Sequence, residues 1–183
     1  MTDQHLWSDD EHPGEVRASS SYWGWLIATL ALGVIGVWVL VVRVYPGVPD
    51  PMPVHWNGAG VADGFTPKSL GEFIAIAGLG PFFCLVVFGI IEVVAAVNRG
   101  ARPGDGAALE GQRRRSEGLA VTRKHLGWYL FAMSALVLAL VARGYSGTSS
   151  RWDLLVFLVA VFALTAVLVV VATRDLPGPA ARR

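Results

Sequence analysis

The chain is short of charge, cysteine and histidine, and each shortage removes a class of function. Only 16% of its 183 residues are charged against 54% hydrophobic, with a mean hydropathy of +0.51. That balance belongs to a membrane protein more than to a soluble domain. Cys84 is the only cysteine, so no intramolecular disulfide and no cysteine-built metal site is possible, and it reads as a small apolar packing residue. No serine, threonine or cysteine stands beside a histidine in a recognisable nucleophile arrangement, although Thr66 and Ser69 share a loop with His55. No enzyme activity is expected. The leader lacks the basic start of a signal peptide, carrying Asp3, Asp9, Asp10, Glu11 and Glu15 instead. No A-x-A cleavage pattern follows the first apolar run before Tyr45, so that run is expected to stay in the protein.

Long apolar runs are what the chain has in abundance. Trp23 to Val42, Phe73 to Val97, Leu126 to Ala142 and Leu154 to Ala172 each approach the roughly 20 residues a helix needs to cross about 30 Å of hydrocarbon. The expected fold is therefore an all-α polytopic membrane protein with four transmembrane helices and an ordered, Pro/Gly-rich extracytoplasmic loop between the first two. Its segments are an acidic cytoplasmic leader (1–21), a unit over 22–98, a basic cytoplasmic connection (99–124), a hairpin of spans three and four (125–173) and a cytoplasmic tail (174–183). The 22–98 unit divides into span 23–44, outer loop 45–72 and span 73–97.

Charge sets the expected orientation. Eleven lysines and arginines fall on the side shared by both termini and the second connection, against four on the other. The positive-inside bias then puts both termini in the cytoplasm and the first loop outside. Arg113, Arg114 and Arg115 could meet anionic headgroups at about 1 kcal/mol per basic residue, although enforcing topology is explanation enough. Nothing in the composition points to nucleic acid, since no recognised fold or aromatic platform accompanies these charges.

Within the spans, small residues offer close helix approach: Gly33 and Gly36 in the first, Gly78 and Gly89 in the second, and an Ala132, Ala135, Ala139 stripe in the third. Pro81 should bend the second span, because it donates no hydrogen bond and its ring crowds the carbonyl four residues back. Tyr22, Trp23, Trp25, Tyr45, Trp128, Tyr129 and Trp152 lie near span ends and read as interfacial anchors. Glu92 is the acid well inside an apolar run, at an insertion cost of roughly 2.5–3.5 kcal/mol if charged. It is expected to reach the interface or to pair with Arg99 or Arg123, or else to serve as a protonatable group in a pathway.

The loop from Tyr45 to Glu72 changes character. Prolines at 46, 49, 51 and 53 hold its first part extended. Alternation in an extended "PVHWN" turns Trp56 toward the bundle and His55 and Asn57 outward. "NG" at Asn57–Gly58 and "DG" at Asp63–Gly64 signal turns in which glycine supplies a positive φ. A small cap of two short strands is expected, with Asn57 and Asp63 capping turns, Lys68 paired with Asp63, and His55 bonded within the loop. His55 with Asp63, Asp50 or Glu72 is the only conceivable metal site. His5, His12 and His125 fall on the other side, so no metal or other cofactor is expected.

The run "PVHWNGAGVADGFTPK" resembles the signature of a bacterial membrane family known as domain of unknown function 1648. Pro53, His55, Trp56, Asn57, Gly60, Asp63, Gly64, Phe65 and Lys68 match its pattern, with one span before and one after. The resemblance covers about residues 23–98 and implies a bacterial plasma-membrane location. Some members of the wider group are similar to the Sdp immunity protein, which protects a bacterium from its own secreted toxin. The second half of this chain has no recognised counterpart of that protein's further segments. The expected function is non-enzymatic: protein contacts through the outer loop and helices, as an immunity or sensing component or an accessory subunit. The rivals are a small transporter using Glu92 and the Pro81 bend, and a metal-binding loop.

Overall fold

The structure is a computed structural model that describes residues 20–100, 106–147 and 150–175. The acidic leader up to residue 19, the start of the basic connection and the tail beyond 175 lie outside the described residues. Four helices form the body: α1 (Ser20–Arg43), α2 (Leu70–Gly100), α3 (Gly106–Tyr145) and α4 (Arg151–Asp175). Each contains a stretch long and apolar enough to cross a membrane, which by length and composition makes this a multi-pass membrane protein. Between α1 and α2 lie a 3-10 turn (Tyr45–Gly47) and an antiparallel hairpin of β1 (Met52–Trp56) and β2 (Ala62–Thr66).

Helices α1, α2 and α3 pack against one another, and α4 packs on α3. Glycines set the closest approaches, but not all of those the sequence suggested. A methyl group on Gly33 would sit 2.9 Å from Cβ of Pro81, and one on Gly36 2.7 Å from a Leu138 methyl. Gly80 against Val137 and Gly127 against Trp25 are equally tight, whereas Gly78 and Gly89 meet nothing within 4 Å among the described residues. Helix α2 continues through Pro81, whose buried ring serves as packing surface for α1.

Three features differ from or add to what the sequence suggested. First, the polar stretch before the third span is helix from Gly106 onward, continuous with the apolar part to Tyr145. Hydropathy sees only the apolar half of such a helix. Arg113–Arg115 lie within it, their side chains outside what is described. Second, several aromatics near span ends make contacts within the bundle. Tyr22 is fully buried and packs on Phe88, with ring centroids 5.3 Å apart. Trp25 packs on Phe131 at 5.4 Å. Tyr129 shares a 3.0 Å hydrogen bond with Thr165 of α4. Trp23 and Trp152 remain exposed. Third, α4 contributes no buried residue in its most apolar stretch, so its surroundings must be hydrocarbon or another protein.

Candidate functional site

The loop between α1 and α2 is a cap tied to the bundle at both ends. Lys68, after β2, turns back: its Nζ donates to the carbonyls of Val48 (2.7 Å) and Pro46 (3.4 Å) and lies 5.0 Å from the Tyr45 ring centre. Its backbone N–H donates to Asp50 Oδ1 at 3.1 Å. One residue thus closes the exit of the cap onto its entrance. Ser69 then starts α2, its Oγ accepting from the Glu72 N–H at 3.4 Å. Ser-x-x-Glu is a helix-start signature visible in the sequence itself.

An aromatic row carries the cap onto the helices. Trp56 stands edge-on to Tyr145 (5.3 Å), Tyr145 packs on Phe73 (5.0 Å), and Phe73 on Tyr45 (5.2 Å). Gly144 makes room, since a methyl there would lie 3.3 Å from the Trp56 ring. With Phe73 and Tyr145 of this row, Leu40, Val48, Met52, Ala77 and Leu138 form one buried cluster.

The turn between the strands is built by Asn57. Its Oδ1 accepts from the N–H groups of Ala59 (2.9 Å) and Val61 (3.2 Å), and its own N–H donates to the Val61 carbonyl. The positive φ falls at Gly60 (78°), not at Gly58. Gly64 is no turn residue either: it lies in β2 opposite His55, where a methyl group would come 2.9 Å from the histidine Cβ. Two irregularities in strand register, on either side of His55, produce this pairing. Among the described residues Asp63 caps no turn and does not meet Lys68. Its Oδ1 lies 2.5 Å from His55 Nδ1, with the two side chains 70% and 44% exposed.

The nine motif residues now separate by task. Pro53 is buried, Trp56 anchors, Asn57 and Gly60 make the turn, Gly64 admits His55, and Lys68 closes the loop. His55, Asp63 and Phe65 remain exposed. Asp63 and Phe65 share a face by strand alternation, and Phe65 stands 56% exposed. Among the described residues no three His, Cys, Asp or Glu side chains come together as a metal cluster.

At the opposite end of the bundle Glu92 meets Arg123, the second of the partners expected for it. Arg123 Nη2 donates to Glu92 Oε2 at 2.6 Å, and the guanidinium lies over the Tyr22 ring. Glu92 Oε1 and Arg123 Nε have no hydrogen-bond partner among the described residues. Directly after Arg123, Lys124 and His125 both bond Asp175 of α4, at 2.7 and 2.8 Å.

Residues 31–80 match the family model described as "Domain of unknown function (DUF1648)", a stretch that holds the second half of α1, the whole cap and the start of α2. No curated protein and no solved structure matches the chain.

Proposed function

We propose that this is a non-enzymatic protein of the bacterial plasma membrane, both termini cytoplasmic, which acts by binding a protein partner through its extracytoplasmic cap. The observation that carries the reading is the division of labour within the motif. Six of its nine residues have work in building the cap, while His55, Asp63 and Phe65 stand on its surface. A surface ion pair adds about 0–1 kcal/mol to stability, and a cross-strand contact of the half-exposed Phe65 with Pro53 adds a similar amount, so the fold alone gives only a weak reason for this trio. A rigid support with exposed aromatic and polar groups is the usual form of a recognition surface. An immunity or sensing component and an accessory subunit of a larger complex are both roles of this kind. The match to a domain family supports the cap as the functional unit, and the excess of basic residues beyond α2 supports the orientation.

The test is a mild-detergent pull-down from native membranes, comparing wild type with a His55→Ala, Phe65→Ala double variant of equal abundance. A stoichiometric partner present with wild type and lost from the variant is the expected result. A partner retained by both would move recognition to the helices, and none in either would remove the reading. Orientation is tested with a cysteine at Gly60 or Gly106 in a Cys84→Ala background: an impermeant thiol reagent should label intact cells only at position 60.

A further inference from the structure

The sheet of the cap has two strands only, so each strand keeps one edge whose N–H and C=O groups have no neighbouring strand. The two edges differ. β1 is the inner strand: Met52 belongs to the buried cluster and Trp56 packs against it. Pro53 within β1 and Pro51 just before it carry no N–H, which blunts that edge. β2 is the outer strand. None of its five residues is buried or belongs to a buried cluster, and it contains no proline. Among the described residues no hydrogen bond from outside the hairpin reaches its backbone.

The chemistry of an edge specifies its occupant. Outward-facing amides recur every second residue, at about 7 Å, and an extended polypeptide repeats its own amides at that spacing. The recognition trio adjoins this edge: Asp63 and Phe65 belong to β2, and His55 lies opposite Gly64. Asp63 is the one charge on the strand, and a charge is a common guard against strand pairing; here His55 holds it. Phe65, 56% exposed, favours an aromatic or β-branched neighbour on an added strand. A second copy fits less well. Antiparallel pairing of β2 with β2 about Gly64 would set glycine opposite glycine and Asp63 opposite Phe65, with no complementary pair.

We propose that the outer edge of β2 takes up an extended segment of the protein partner as a third strand, main chain to main chain. The inference rests on the reading of the cap as a recognition surface and adds how the partner is held. Affinity comes from backbone hydrogen bonds along about five residues, and selectivity from the position beside Phe65.

The experiment screens the purified full-length chain in nanodiscs against a displayed library of random peptides about eight residues long. Enriched peptides are then resynthesised with one amide N-methylated at a time. Methylation at alternate positions should weaken binding by about two- to tenfold each, the span of one hydrogen bond. The intervening positions should tolerate it, because alternate amides of an added strand face away from its neighbour. Bound peptide should also slow hydrogen exchange across Ala62–Thr66. No enriched peptide, binding without the two-residue period, or protection that leaves out Ala62–Thr66 would overturn the third strand. Disulfide formation between chains by an Ala62→Cys, Thr66→Cys protein in the Cys84→Ala background would overturn it too, by assigning the edge to a second copy. Failure of the underlying reading looks different. Peptides without the two-residue period that are lost from the His55→Ala, Phe65→Ala variant would overturn strand addition and leave side-chain recognition standing. The period with undiminished affinity in that variant would support the third strand and refute the role of the trio.

Discussion

Replacing Arg123 by leucine removes the guanidinium that neutralises Glu92, and the geometry sets the expected cost. The two groups are 2.6 Å apart, with side chains 6% and 28% exposed. Unit charges about 4 Å apart attract by about 4 kcal/mol at an effective dielectric of about 20. Desolvation takes back much of that gain, so the pair as a whole is worth little compared with two apolar side chains. Losing one partner is another matter, because the remaining group keeps its desolvation and loses its countercharge. Such single losses cost about 3–5 kcal/mol, and the partial exposure of Glu92 places Arg123→Leu at the lower end, about 3 kcal/mol. The Glu92→Leu, Arg123→Leu double variant should lie within about 1 kcal/mol of wild type, leaving a coupling of at least about 2 kcal/mol in the cycle. Reversible unfolding in mixed detergent micelles measures all four corners. Additive single effects, with coupling below about 0.5 kcal/mol, would refute the view that Arg123 is what makes Glu92 tolerable. If Glu92→Gln kept its stability but lost function in cells, a pathway role would take precedence over the structural one.

Gly64→Ala should cost about 1–3 kcal/mol by overpacking against His55, seen as faster hydrogen exchange across Met52–Thr66, while Gly58→Ala, with open space around it, should leave exchange unchanged. Lys68→Met leaves the Val48 carbonyl without its donor, at about 1–3 kcal/mol; the cap should become sensitive to protease while the helical circular-dichroism signal persists. Gly80→Leu, facing Val137, should destabilise the bundle in micelle unfolding, and Gly89→Leu should not, because nothing lies within 4 Å of it.

The four spans were legible because hydrocarbon thickness acts on length and composition alone. The strands were legible too, from prolines that exclude helix and from "NG" between extended runs. Pairings within the cap were not. Asp63 is closer in sequence to Lys68 than to His55, and only the register slips around His55 bring it to the histidine instead. The same slips place Gly64 in a strand, where "DG" suggested a turn. Tyr22 and Tyr129 illustrate a second limit. An aromatic near a span end satisfies a headgroup interface and a helix contact equally well, and only the packing of a second helix decides between them.

Helix α3 has a mechanical consequence. Its 40 residues span about 60 Å at 1.5 Å per residue, twice the hydrocarbon thickness of about 30 Å. One end is fixed to the cap through Tyr145, while the other projects past the bundle beyond the Arg123 pair. A rigid rod of that length is a lever: a rotation of about 5° at the Trp56 contact displaces the far end by about 5 Å. Under the proposed topology, a shift of the cap would thereby be displayed as movement at the far end of α3, without any helix having to unwind.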